Sequence, residues 1–224
     1  MKHLQVTVDT DREFQTGQTT ASRGTFLDGL AVSKACQNLK EHLNGGVLAE
    51  LAGQEFVGEL ELNLTQPMDD PELKRSHICF GWGVQVAILD DEGRIEKIIA
   101  AHDVGRVMNQ NLLEGQMEGA VHMGLGHSLT EEFVTTDGYI ETPTLKSQGI
   151  IPAKGMPPVE CIFIEEPQPE GPFGAKGVGE IGLVPTASAV AGACRKFDGR
   201  WRNRLPMKDT AAARAAHPRA ARRG

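Results

Sequence analysis

A glycine-rich stretch, PFGAKGVGEIGLVP at residues 172–185, constrains this chain more than any other segment. Its four glycines and one small alanine let the backbone approach another surface closely, at a cost in chain entropy. Glu180 is the carboxylate among them, just before a helix that Pro185 and Thr186 are suited to start. A carboxylate fixed on a tight turn beside a pocket is a candidate general base. A plain glycine-rich connection with a solvated glutamate explains the same residues, and the stretch alone favours that interpretation because short glycine patterns are often incidental.

A small polar run, TTAS at residues 19–22, precedes a segment with helical periodicity. Apolar residues recur at spacings of three and four over residues 24–43, which predicts a helix that ends before Gly45. The unpaired N–H groups at such a helix start suit an anionic ligand. Capping by Ser22 or Thr25 would satisfy the same groups without a ligand, and the residues alone favour capping.

A second, glycine-rich helix is predicted by the spacing of Leu112, Leu113, Met117, Val121 and Leu125, and its glycines at 115, 119 and 126, spaced four and seven apart, create a smooth face. Gln116 lies beside that face, and its amide could bind the edge of a ring. A tightly packed core helix explains the glycines equally well. His122 and His127 are five residues apart rather than the four of a helical metal pair, so both are interpreted as structural.

The remaining patterns predict an α+β fold of mixed sheets packed with helices. A long proline-containing loop is expected at residues 142–158, before the strand that leads to the glycine-rich stretch. The other predicted elements are strands at 4–8, 55–64, 77–89, 94–102 and 159–166, a short hairpin at 133–141, and a helix at 185–197.

Charge and cysteine content narrow the functional classes. The net charge is −7, although residues 195–224 hold ten of the 23 basic side chains. Residues 211–224 are predicted to form a flexible basic tail, and the acidic remainder disfavours a nucleic-acid partner. Neither a membrane span nor a signal peptide is recognisable. The four cysteines are widely separated, which favours free thiols in the cytoplasm and excludes iron–sulfur ligation by this chain.

Several motifs follow one another over residues 9–211: TTAS before a helix with GLAV, then DVGRVMN, EGQMEGAVHMGLG, GAKGVGEIGL and RLPMKDTA. In these motifs and their order, the chain closely resembles the C-terminal portion of the molybdenum-binding subunit of xanthine dehydrogenases and aldehyde oxidases. One departure is Asn109-Gln110, where that family usually has asparagine-proline.

The resemblance implies roles for particular residues. Glu180 would be the base that takes a proton from the water-derived oxygen beside the molybdenum. Ala21 would lie against the molybdenum centre without being a side-chain ligand. The other cofactor-binding positions that the resemblance implies are Thr20, Ser22, Gln116 and Gly179. The cofactor would be molybdenum-molybdopterin, in its cytosine dinucleotide form.

The resemblance also implies partners. Residues 1–210 would be the second molybdopterin-binding region, of one or two subdomains, and a complementary N-terminal half of the molybdenum subunit is expected elsewhere. Iron–sulfur and FAD groups are expected on partner chains only. The substrate would be a small aldehyde or a heteroaromatic ring such as a purine. The alternative is a folded, non-catalytic remnant or scaffold that binds no cofactor when alone.

Overall fold

The computed structural model describes Thr7, Asp11 and residues 18–60, 66–72 and 74–220. The fold class is α+β, as predicted, with helices packed on a small mixed sheet. In chain order the elements are α1 (Gly24–Leu43), β1 (Gly83–Leu89), β2 (Ile95–Asp103), α2 (Gln110–Leu129), β3 (Thr135–Thr136), β4 (Tyr139–Ile140), α3 (Leu145–Gln148), β5 (Val159–Ile164), α4 (Thr186–Asp198) and α5 (Ala211–Ala216), with short 3-10 turns at Leu48–Leu51, Ala153–Gly155 and Pro172–Gly174.

The main sheet has the order β1-β2-β5, with β1 antiparallel and β5 parallel to the central strand. The β1–β2 hairpin is confirmed, and its turn is closed by Asp90, whose carboxylate accepts from the backbone N–H groups of Glu92 and Arg94. The predicted small hairpin is also present as β3 and β4, around Asp137 and Gly138. Because β5 runs parallel to β2, a long connection containing α2 joins them.

The core lies between one face of this sheet and three helices, α2, α4 and α5. Apolar side chains from all four meet there and are almost fully buried, which is the main source of stability. Its largest members are Ile98, Met117, Leu125, Leu129, Val190 and Met207.

The prediction of a flexible tail from residue 211 is wrong for residues 211–220. Thr210 caps α5 by accepting from the N–H of Ala213, and three alanines of this helix are buried in the core. Alanine is small enough to let a helix approach α2 closely, so a segment with few large apolar side chains still packs. The four residues after Ala220 lie outside the described residues.

Two strand predictions need correction. The strand predicted at 77–89 begins only at Gly83, and residues 55–60 of the strand predicted at 55–64 have no regular structure. Residues 55–60 lie instead along α1, where Lys34 and Asn38 donate to backbone carbonyls. Residues 61–64 of that strand lie outside the described residues, as does the strand predicted at 4–8 except for Thr7. No helix of the described residues is long and apolar enough to cross a bilayer.

Candidate functional site

Two loops that are far apart in sequence meet at Glu180. The hydroxyl of Ser22 donates to Oε2 of Glu180 at 3.0 Å, across 158 positions of the chain. From α2, the amide nitrogen of Gln116 donates to the backbone carbonyl of Gly179 at 3.3 Å. The structure therefore brings together Ser22, Gln116, Gly179 and Glu180, four of the residues singled out from the sequence.

The turn before α1 is strained. Ala21 and Ser22 have φ angles of 50° and 56°, a left-handed conformation that costs a non-glycine residue about 1–3 kcal/mol. Arg23 closes the turn by donating its backbone N–H to the carbonyl of Thr20. A Cβ at Gly177 would lie 2.1 Å from the carbonyl oxygen of Ser22, so only glycine permits this approach. The strained turn is thus pressed directly against the loop that carries Glu180.

The start of α1 has no side-chain cap, so the expected capping by Ser22 or Thr25 is wrong. The hydroxyl of Ser22 donates to Glu180 instead of accepting from the first turn of the helix. The N–H groups of the first turn of α1 therefore remain available to an acceptor outside the helix. By contrast, Asn109 caps α2 by accepting from the N–H of Leu112.

A cavity of about 410 Å³ lies beside these loops. That volume is within the range of small-molecule sites. It is bounded by the start of α1, by the turn after β2, by the first half of α2 and by the glycine-rich loop. The polar residues that line it are Thr19, Ser22, Thr25, Arg106, Asn109, Gln116 and Lys176.

Glu180 is exposed, at the edge of this cavity rather than within it. Its neighbours Val178 and Gly179 line the cavity, as does Ser22, which holds its carboxylate. The carboxylate is therefore exposed and held next to residues that line the cavity. Oε2 accepts from the serine hydroxyl, which leaves Oε1 available to another donor.

A buried ion pair anchors the glycine-rich loop. Nζ of Lys176 lies 2.5 Å from Oδ2 of Asp103, and the two side chains are only 8% and 7% exposed. The backbone reinforces the contact, since the N–H of Lys176 donates to the carbonyl of Val104 and Gly105 bridges to Ala175. Sequence reasoning missed this pair because the partners are 73 positions apart. It also missed Arg106, whose only signal was its place in the DVGR motif.

His102 supports the same loop from the other face of the sheet. It is fully buried, and burial lowers the pKa of its imidazole below the ordinary 6.5. Its Nε2 lies 3.3 Å from the amide nitrogen of Gln85, which also donates to the carbonyl of Gly182. The other ring nitrogen, Nδ1, is buried with no hydrogen-bond partner. The imidazole is thus a buried neutral group, and the side chain of the adjacent Asp103 pairs with Lys176.

The two histidines of α2, His122 and His127, do not form a metal site within the described residues. His122 bonds through Nε2 to the carbonyl of Ile151 at 2.8 Å. Within residues 18–60, 66–72 and 74–220, no group of three or more histidine, cysteine or acidic side chains is placed to hold a metal ion. The four cysteines are all free.

Comparison with known proteins places this geometry in a family. The family model described as a molybdopterin cofactor-binding domain matches residues 47–157. The xanthine dehydrogenase molybdenum-binding subunit of Escherichia coli O157:H7 is 32% identical over 115 residues, which are 50% of this chain and 15% of that protein. The aldehyde oxidoreductase of Megalodesulfovibrio gigas is 27% identical over 206 residues, covering 85% of this chain and 22% of its own length.

The solved structures agree with the sequence matches. The structure of aldehyde oxidoreductase from Desulfovibrio gigas superposes with a TM-score of 0.74 at 27% identity, over 85% of this chain and 22% of that chain. This chain thus spans about a fifth of the length of these relatives. Both the sequence motifs and the fold lead to one conclusion: the chain belongs to the family of molybdenum-binding subunits of xanthine dehydrogenases and aldehyde oxidoreductases.

Proposed function

We propose that this chain is the C-terminal, cofactor-binding part of a molybdenum hydroxylase. The enzyme would hydroxylate a carbon of an aldehyde or a heteroaromatic ring with oxygen derived from water, and Glu180 would be its general base. The observation that carries the proposal is the hydrogen bond between Ser22 and Glu180, which joins the TTAS and GVGE motifs at the edge of one cavity.

The residues around the cavity fit an anionic, hydrogen-bonding cofactor such as molybdopterin. The uncapped start of α1 offers backbone N–H groups to a phosphate, and Arg106 adds a positive charge beside them. Gln116 uses one N–H on Gly179, which leaves its second N–H and its carbonyl oxygen for a pterin ring edge. Molybdenum-molybdopterin in its cytosine dinucleotide form is the cofactor that we assign to these groups.

Each turn residue has a separate part in this proposal. From the resemblance of the TTAS motif, Ala21 would lie against the molybdenum without being a ligand, since its methyl side chain has no donor atom. Thr20, Ser22 and Gly179 would bind the cofactor through backbone and hydroxyl groups. The strain at this turn supports the assignment, since backbone held in a rare conformation is characteristic of ligand sites.

The chemistry of the chain itself is proton transfer. When bound, the molybdenum cofactor supplies the two-electron oxidation of the substrate carbon. Glu180 accepts a proton at Oε1 while Ser22 holds Oε2, so the carboxylate keeps one orientation through the transfer. The ion pair of Asp103 and Lys176 positions the loop that bears this carboxylate.

The proposed enzyme needs further parts. A complementary N-terminal half of the molybdenum subunit would close the exposed side of Glu180 and contact the substrate. Electrons would leave through iron–sulfur and FAD groups on partner chains, and we assign the assembly to the cytoplasm. These partners follow from the family and from the fifth of the relatives' length that this chain spans.

One observation favours a second candidate, a folded scaffold without catalysis. Glu180 is exposed in the part of the chain that the structure describes, although Ser22 holds its carboxylate. A general base normally works where bulk water is excluded. A scaffold would keep the fold and the motif contacts, yet it would bind no molybdenum in any complex.

Replacement of Glu180 by glutamine in the complex purified through this chain tests the proposal. Glu180→Gln keeps the size of the side chain and an acceptor for Ser22 but removes the proton-accepting group. We expect molybdenum content to stay at the wild-type level, while kcat for aldehyde or purine hydroxylation falls about 10²–10⁴-fold. Transfer of ¹⁸O from labelled water to the product identifies the reaction.

Glu96→Gln is the matched control, because Glu96 is an exposed glutamate at the start of β2. It should change neither molybdenum content nor kcat. Wild-type turnover in Glu180→Gln would place the base elsewhere, and a complex without molybdenum would favour the scaffold.

A further inference from the structure

One face of the main sheet is apolar and uncovered. It consists of Trp82, Val84, Val86, Ile162 and Ile164, and we refer to these five residues as the open sheet face. Their exposed fractions are 80%, 65%, 50%, 44% and 47% in that order. The opposite face of the same strands is buried under α2 and α4, because successive side chains of a strand point to opposite faces of the sheet.

Strand register places these side chains together. Val84 pairs with Ala101, which pairs in turn with Ile162, so the three form one row across the sheet. Val86 lies two residues along in the next row. Trp82 extends the same alternation beyond β1, and its carbonyl accepts from the N–H of Asp103 in the central strand. The open sheet face is therefore continuous across all three strands.

The composition of the open sheet face is that of an interface rather than of a solvent surface. Trp82 and the adjacent Phe80, which is 64% exposed, leave on the order of 300 Å² of aromatic surface uncovered. The aliphatic members bring the patch to the several hundred Å² that characterise interaction sites. The Lys97–Glu160 ion pair, at 2.7 Å, lies on this side of the sheet, with Glu160 one row and Lys97 two rows beyond Ala101 and away from Trp82.

The open sheet face borders the glycine-rich loop that carries the candidate base. Ile164 pairs in register with Asp103, whose side chain lies on the same side of the sheet as Ala101 and forms the ion pair with Lys176 of that loop. Just beyond β2, Gly105 bridges to Ala175 of the same loop. A partner seated on this face would therefore extend to the glycine-rich loop.

We propose that the remaining part of a molybdenum-binding subunit packs on the open sheet face, whether it lies on the same chain or on another. The inference rests on the proposed function, because it takes the assembly to be a whole molybdenum subunit. Its occupant follows from length: the residues here correspond to 22% of an aldehyde oxidoreductase chain whose domain they superpose on. A domain from the other four fifths would contact this one, and the open sheet face is an apolar surface that borders the glycine-rich loop of the site.

Site-specific photo-cross-linking tests this proposal in cells of the source organism. A photoreactive phenylalanine analogue replaces Val84 or Ile162 in the tagged full-length protein, and the cross-linked peptide is sequenced by mass spectrometry. Tyr139 is the control position, since it is 79% exposed but belongs to the separate β3–β4 hairpin. We expect the Val84 and Ile162 probes to join a peptide that matches the N-terminal half of molybdenum subunits, and the Tyr139 probe not to do so.

A charge substitution provides a second measurement. Val84→Lys with Val86→Lys should reduce that cross-link from Ile162 at least tenfold. The melting temperature of the isolated chain should change little, because both valines are half or more exposed. Leu145→Lys, at a residue 67% exposed outside the sheet, should leave the cross-link intact.

The outcomes separate docking from catalysis. Cross-links from Val84 and Ile162 to a second copy of this chain, to an unrelated protein or to nothing overturn the proposal. Molybdenum content of the same complex is measured independently. A cross-link to the N-terminal half in a complex without molybdenum supports the docking surface and refutes the proposed function. Molybdenum in a complex without the cross-link supports the proposed function and refutes the docking surface.

Discussion

Removal of the ammonium group of Lys176 should destabilise the protein far more than removal of an exposed one. In Lys176→Met the side chain keeps its length, but the carboxylate of Asp103 remains buried without its partner at 2.5 Å. Breaking a buried ion pair in this way costs about 3–5 kcal/mol of unfolding free energy. For a chain of this size that corresponds to a fall in melting temperature of roughly 10 °C.

Lys97→Met is the matched control, because Lys97 pairs with Glu160 at a similar distance of 2.7 Å but with side chains 38% and 50% exposed. Solvent screening and side-chain entropy limit such a pair to about 1 kcal/mol or less. The double variant Asp103→Asn with Lys176→Met removes both charges and keeps an acceptor for the N–H of Gly105. It should recover most of the stability that Lys176→Met loses.

Urea denaturation of five proteins measures these free energies: the wild type, Lys176→Met, Lys97→Met, the single variant Asp103→Asn and the double variant. Circular dichroism confirms that each variant folds. The coupling energy between Asp103 and Lys176 should reach about 2–4 kcal/mol. Equal costs for Lys176→Met and Lys97→Met would refute the argument that burial makes this pair strong. The argument would also be refuted if the double variant lost as much unfolding free energy as its two single variants lose together.

Two other predictions concern groups inside the core. Burial holds the pKa of His102 below 6.5 in the folded protein, so the unfolded chain binds more protons at this residue. The unfolding free energy should therefore decrease as the pH falls from about 7 through the folded-state pKa. Urea titrations at several pH values measure this dependence; His102→Gln should flatten it, and an unchanged slope would contradict the prediction. Ala213→Asp places a charge at a fully buried position of α5, so it should abolish cooperative unfolding or lower the unfolding free energy by several kcal/mol. Ala215→Asp, on the exposed side of the same helix, should lower it by less than about 1 kcal/mol. Similar effects of the two substitutions would mean that α5 does not pack as described.

Periodicity of apolar residues in the sequence was sufficient to predict those helices and strands whose pattern is strong. The apolar spacing of residues 24–43 gave the bounds of α1, and the alternation around Asp90 and Gly93 gave the β1–β2 hairpin. Residues 211–216 were misjudged because alanine contributes little to an apolar pattern, although several buried alanines fill space well between helices. The irregular course of residues 55–60 depends on packing against α1, which a local pattern does not contain.

The candidate site could be predicted only through motif order. Local sequence indicated a carboxylate on a glycine-rich loop, but a plain connecting loop also explained it. It also indicated a helix start that could bind an anion, but ordinary capping of that helix explained the same residues. Their meeting across 158 positions is a tertiary contact, and the hydroxyl expected to cap α1 turned out to hold Glu180. The Asp103–Lys176 pair is also a tertiary contact, with no local signal for the pairing of two charges 73 positions apart.

The glycines of the two functional segments offer a last prediction in which one substitution has opposite effects. At Gly177 a Cβ would meet the backbone carbonyl of Ser22 at 2.1 Å, and because backbone cannot rotate away, Gly177→Ala must push the Ser22 turn from the Glu180 loop. Such overpacking costs about 1–3 kcal/mol. At Gly119 in α2 a Cβ would meet nothing within 4 Å, so Gly119→Ala should stabilise the helix by about 1 kcal/mol. Urea denaturation compares the two, and a neutral or stabilising Gly177→Ala would show that the strained turn is not held by the glycine-rich loop.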